Sequence, residues 1–242
     1  MNILTRSLSL AAIAASLLTV SPAFADDTLI DLNFEAMDAG SPPPVSAGSL
    51  PATQALDSVF TTDNNKLKVV KDSPEFPGKA LQFIKGAADP RTPRAVFANT
   101  VGLVTSGSVR FTWEASMNSF EASEKFPGFE STLSFVLMDA VGKPFFNFYY
   151  LVNSSQTAGI FGSMGKKLGS WSMGSKQQFE VTVDLDNGTA VIKVDGTEVG
   201  DETIHFERGE GLRVVQFTDG AGLAFYGSRF SATIDNFKMT RL

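Results

Sequence analysis

Between residues 178 and 199, apolar and polar side chains alternate with a period of two. Phe179, Val181, Val183 and Leu185 fall on one side, and Glu180, Thr182, Asp184 and Asp186 on the other. After Asn187 and Gly188 the apolar side resumes with Ala190, Ile192 and Val194. A strand sends successive side chains to opposite faces, and Asn-Gly suits the left-handed dihedrals of a tight turn. The pattern predicts a β-hairpin with one buried face. With Asn187 and Gly188 as a two-residue turn, Thr182 is expected opposite Lys193. Glu180 and Asp184 then sit on the diagonals of a solvated, charge-balanced outer face.

Strand signals recur roughly every ten residues. Strands are expected at 28–34, 66–71, 80–85, 94–98, 108–116, 131–138, 145–152, 157–161, 211–217, 224–226 and 231–242. In 108–116, Val109, Phe111 and Trp113 face one way and Arg110, Thr112 and Glu114 the other, so Trp113 reads as core. Residues 38–53, with Pro42, Pro43, Pro44 and Pro51, read as an extended loop, and the Gly-rich 162–175 as another. Many short strands, no helical stripe and no internal repeat predict an all-β, antiparallel two-sheet sandwich formed as a single domain over 26–242. The 21 phenylalanines fit, because sheets about 10 Å apart need large apolar side chains on both inner faces.

Residues 1–25 read as a signal peptide: Arg6, an apolar run, then Ala23, Phe24 and Ala25 before Asp26 and Asp27. Cleavage after Ala25 would give a secreted or periplasmic protein. Losing Arg6 takes the formal net charge from −6 to −7, which argues against nucleic acid and anionic membranes as partners. No later stretch is long and apolar enough to predict a membrane span. The chain has no cysteine, so thiol chemistry and disulfides are excluded.

The hairpin, the 108–116 strand, an opening Asp31, Leu32, Asn33, Phe34, Glu35 string and a closing Ile234, Asp235, Asn236, Phe237 string resemble the concanavalin A-like lectin/glucanase, or laminin-G-like, superfamily. The resemblance implies a jelly roll. It leaves function open, since lectins, glycoside hydrolases, polysaccharide lyases and adhesion modules share the fold. It also implies a structural calcium between the first and last strands. Asp31, Asn33 and Asp235 are the candidate ligands, with Glu35 and Asn236 beside them; calcium takes hard oxygen donors of this kind.

The E-x-D-x-E carboxylate series of jelly-roll glucanases is absent, Glu121 and Glu124 are wrongly spaced for it, and His205 is the single histidine. Asp184 and Asp186 share a strand face, but Asp186 flanks the turn, where Asp is common, and Asp184 belongs to the solvated sheet face, so neither reads as catalytic. Sugar binding asks for aromatic platforms and planar polar groups. Arg110, Thr112 and Glu114 on one strand, Asn147 and Tyr149 on another, and Trp171 in the Gly-rich stretch are the ligand-binding candidates. The expectation is an exported, non-catalytic module that binds a poly- or oligosaccharide or a cell-surface glycan. One alternative is a polysaccharide-cleaving hydrolase or lyase using Arg110, Glu114, Tyr149 and His205. Another is a structural exported protein with no small ligand.

Overall fold

The structure is a computed structural model. It describes residues 27–45, 56–61, 66–86, 93–97, 102–121, 130–152, 158–200, 203–207, 209–219 and 229–242. The expected leader, the 224–226 strand and Glu124 lie outside the described residues.

Strands are numbered along the chain. Sheet I runs, in spatial order, β13 (Thr197–Glu198), β12 (Thr189–Val194), β11 (Lys176–Asp184), β6 (Ser108–Glu121), β16 (Arg229–Arg241), β4 (Phe76–Lys85) and β3 (Lys66–Ser73). β1 (Asp27–Leu32) pairs with β16, and β14 (Ile204–His205) with β12. Sheet II runs β10 (Lys166–Ser172), β9 (Ala158–Ser163), β8 (Pro144–Val152), β7 (Glu130–Met138), β15 (Val214–Asp219), β5 (Arg94–Val96) and β2 (Ser58–Phe60). All the strand pairings within both sheets are antiparallel. The chain folds as the expected all-β sandwich, with no helix among the described residues.

Alternation decides which face each strand buries. Val109, Phe111, Trp113 and Ala115 of β6 meet Leu133, Phe135 and Leu137 of β7 in one core. Trp113 is at its centre, stacked on Phe179 at 5.4 Å and on Phe135 at 4.9 Å between ring centroids. In β16 the inward set Phe230, Ala232 and Ile234 would be thrown out of phase at Phe237 and Met239. One extra residue corrects this: Asp235 pairs with Glu114 but Lys238 with Thr112. Asn236, at φ 52°, takes up the bulge, and both apolar sets stay buried.

Two local expectations change. The 178–199 hairpin closes through residues 185–188, with Asp184 opposite Thr189, Thr182 opposite Val191 and Glu180 opposite Lys193. Asp184 is the reason. Its carboxylate accepts the N–H groups of Asp186 and Asn187 at 2.9 and 3.0 Å and the Asn187 side-chain amide at 2.7 Å, which holds a wider turn. Those bonds also keep the carboxyl below its ordinary pKa. Lys193 therefore faces Glu180 directly, at 2.9 Å. The Gly-rich 162–175 stretch is mostly strand, made of the end of β9 and all of β10.

Candidate functional site

The outer face of sheet II carries two polar rows that cross its strands. Parity puts them there: Ala95, Phe217, Val215, Phe135, Phe148 and Phe146 point into the core, so their strand neighbours point out. One row reads Phe60, Arg94, Thr218, Ser134, Tyr149, Gly162, Lys167, each residue opposite the next. The second reads Ser58, Val96, Gln216, Val136, Asn147. These rows contain two cations and no carboxylate.

Ser134 is 5% exposed and Gln216 7%, although both point away from the core. Outward polar residues on an open sheet are normally wet, so neighbouring groups cover this stretch of the face. Arg94 lies over the Phe60 ring, 5.6 Å from its centroid, which fixes the guanidinium at one end of the first row. The Asn147 side-chain Oδ1 accepts the Met164 N–H at 3.0 Å, leaving its NH₂ directed elsewhere. The Tyr149 ring covers Gly162: a Cβ there would stand 2.9 Å from both Cε2 and the hydroxyl oxygen. Burial raises the Tyr149 pKa, opposed in part by a backbone hydrogen bond from Gly165, so the phenol is held protonated. Together the rows offer amide, guanidinium, ammonium and phenol donors to an acceptor-rich, anionic chain.

The six expected ligand-binding residues do not share a surface. Asn147 and Tyr149 lie in the sheet II rows. Arg110, Thr112 and Glu114 point outward from β6 on sheet I, on the other side of the sandwich. Trp171 is buried in the core edge, its indole N–H donating to the Ile160 carbonyl at 3.2 Å. His205 is exposed at the β14 edge of sheet I, so Arg110, Glu114, Tyr149 and His205 do not assemble around one point. Of the calcium candidates, Asp31 is exposed opposite Lys238, the Asn33 side chain accepts the Glu35 N–H at 3.3 Å, and Asp235 is buried opposite Glu114. Among the described residues no group of three or more His, Cys, Asp or Glu side chains is arranged to hold a metal ion. Also among them, no helix is long and apolar enough to cross a membrane. Sequence reasoning missed Arg94, Gln216 and Lys167. Each belongs to a short or polar strand, and only the pairing across the sheet brings them into line with Tyr149.

No protein-family model matches the chain, and no curated protein matches it in sequence. Its fold recurs in solved structures. A carbohydrate esterase from the Shiga toxin-encoding bacteriophage phi24B matches at 11% identity with a TM-score of 0.57, over 90% of this chain and 99% of that one. An alginate lyase matches at 13% identity and TM-score 0.53, over 87% and 95%. An endo-β-1,4-glucuronan lyase from the fungus Trichoderma reesei matches at 11% identity and TM-score 0.51, over 85% and 96%. The chain also spans 16% of the length of a sialidase. These likenesses establish a jelly-roll sandwich consistent with a concanavalin A-like fold. They also correct the expected function. A non-catalytic binding module was the first reading, but the sandwich is shared with two polysaccharide lyases and a carbohydrate esterase, which favours the polysaccharide-cleaving alternative.

Proposed function

We propose that the chain is an exported polysaccharide lyase of the concanavalin A-like superfamily, acting on a uronate-containing polymer across the outer face of sheet II. The observation that carries this reading is the carboxylate-free row in which Tyr149 stands between two cations. Strands in a sheet lie about 4.8 Å apart. Lys167 is thus roughly 10 Å from Tyr149 on one side and Arg94 roughly 14 Å on the other, backbone to backbone. A polyanion laid across the strands meets a cation on each side of Tyr149, and no acidic residue of the rows repels it.

Eliminative cleavage removes the proton on the carbon beside the uronate carboxylate. It forms a carbon–carbon double bond, breaks the bond to the departing sugar and protonates the released oxygen. The Asn147 amide donates to the carboxylate at the cleaved sugar, spreading its charge as the adjacent proton leaves. Tyr149, protonated, gives its proton to the departing oxygen. Arg94, with Gln216 beside it, and Lys167 hold carboxylates of neighbouring sugars. The rows hold no His, Asp or Glu, so a hydroxide ion from solvent takes the carbon-bound proton and leaves as water. The leader read at 1–25 supports export to where such polymers occur.

The test is to incubate the mature chain with alginate, polyglucuronate and polygalacturonate and to follow the ultraviolet absorbance of unsaturated chain ends. Absorbance should rise on at least one polymer, and Arg94→Ala should lower kcat/KM about tenfold or more. Absence of unsaturated ends from all three polymers sinks the reading.

A further inference from the structure

Two residues, Met164 and Gly165, join β9 to β10, with φ 48° and 82°. Positive φ at both central residues is the mark of a type I′ turn, which matches the twist of a hairpin and is adopted most readily by Asn and Gly. Methionine is a poor occupant, and here its side chain is 42% exposed, so burial does little to explain its presence. A non-glycine residue held in the left-handed region is strained and persists only where its surroundings fix it. At this turn the backbone makes the fixing contacts.

Three consecutive residues at this corner donate to Asn147 and Tyr149. The buried Ser163 hydroxyl donates to the Asn147 backbone carbonyl at 2.6 Å. The Met164 N–H donates to Asn147 Oδ1 at 3.0 Å. The Gly165 N–H donates to the Tyr149 phenol oxygen. Gly162, opposite Tyr149 on β9, leaves room for the ring, since a side chain there would meet both the ring and the Lys166 carbonyl. An asparagine side chain accepts at Oδ1 and donates at its NH₂, and a phenol oxygen can do both. The phenol proton cannot point at an N–H that is itself donating, so it is turned away from Gly165. With Oδ1 facing Met164, the Asn147 NH₂ is likewise turned away from the corner.

We propose that the corner formed by Ser163, Met164 and Gly165 is the positioning element of the cleavage site, setting Asn147 and Tyr149 as paired donors, the amide for the uronate carboxylate and the phenol for the departing oxygen. This role rests on the cleavage reading and deepens it. Two donors whose acceptor atoms are already engaged favour a sugar acid over a neutral sugar, whose hydroxyl groups call for acceptors as well. The corner also acts at the end of the reaction. When the Tyr149 proton passes to the departing oxygen, the phenol oxygen is left negative, and the Gly165 N–H already donates to it. A water molecule then returns a proton to Tyr149 and leaves hydroxide, which replaces the hydroxide consumed at the carbon, so atoms and charge balance over one turnover. The same N–H opposes the rise that burial imposes on the Tyr149 pKa.

The test pairs two changes at the turn, assayed on whichever of alginate, polyglucuronate and polygalacturonate the wild type cleaves. A five-residue Gly/Ser loop in place of Met164 and Gly165 joins the same strands, at small cost in loop entropy, but removes both ordered N–H donors. It should lower kcat about 10²-fold with KM little changed, because Arg94 and Lys167 still hold the polymer. Met164→Asn keeps the N–H and suits the left-handed region, so it should retain the wild-type kcat. In amide NMR spectra of the mature chain, the Gly165 resonance should shift upfield in Tyr149→Phe, which removes its acceptor. That measurement needs no altered loop, so it decides the case even where the loop variant folds poorly. The proposal is overturned if the loop variant keeps the wild-type kcat, if its loss appears in KM alone, if Met164→Asn loses as much, or if the Gly165 amide ignores Tyr149→Phe. A wild type that cleaves none of the three polymers sinks the cleavage reading and this role with it. A cleaving wild type matched by its loop variant sinks only the role of the turn.

Discussion

Trp171 of β10 packs onto Gly159 of β9, so closely that a Cβ at Gly159 would stand 2.6 Å from Trp171 Cζ2 and collide with the Leu151 carbonyl. Phe161 covers Gly169 in the same way, and Tyr149 covers Gly162. Three glycines thus leave room for three aromatic rings along one sheet edge, an arrangement that offsets the weak strand propensity of glycine. Gly159→Ala should therefore destabilise the fold by about 1–3 kcal/mol through overpacking, read from urea unfolding. A neutral result would show that the β8–β9 backbone can shift away from the Leu151 carbonyl and that Trp171 can move aside.

Tyr149 has an assigned role in proton transfer beyond its packing on Gly162. Tyr149→Phe keeps the ring over the glycine and removes only the hydroxyl. It should lower kcat on a cleaved polyuronate by about 10²- to 10⁴-fold, with KM little changed and the thermal midpoint held. A rise in KM at constant kcat would instead make Tyr149 a binding residue.

The hairpin and Trp113 show what local sequence can specify. Alternation alone identified which side chains enter the core, because burial on one face enforces a period of two. It did not fix the register. The Asn187 and Gly188 signal was read as a two-residue turn, but the capping bonds of Asp184 widened it, moving the partner of Lys193 from Thr182 to Glu180. The Gly-rich 162–175 stretch was read as a loop because the aromatic rings that cover Gly159, Gly162 and Gly169 are invisible until β8, β9 and β10 are paired. The candidate site was legible only at Asn147 and Tyr149. Its other members come from strands far apart in the chain and meet through the pairings of β5, β15, β7 and β10.

Trp113 gives the core prediction. It is buried between Phe179 and Phe135, with Phe148 and Phe217 edge-on at 5.8 and 5.6 Å. Replacing it by alanine removes the ring on which both sheets close. Trp113→Ala should cost about 3–5 kcal/mol, measured by urea unfolding. A loss below about 1 kcal/mol would mean that the surrounding phenylalanines collapse into the space, which this density of rings argues against.

Asp235 sets the pH prediction. Its carboxyl is buried beside Glu114, with Glu35 adding to the repulsion, and its pKa rises from 3.8 to about 6. The Asn236 N–H, donating at 2.7 Å, and Lys176 only partly oppose that rise. Between those two values the folded chain binds a proton at Asp235 that the unfolded chain has released. The stabilisation from this group is complete below about 4, declines as pH rises and is lost above about 6. Asp235→Asn cannot ionise, so it should remove this part of the pH dependence. Urea midpoints measured across that window should fall more steeply in the wild type than in the variant. Parallel curves would show that the carboxyl finds compensation as it ionises, and Asp235 would then titrate like an ordinary surface acid.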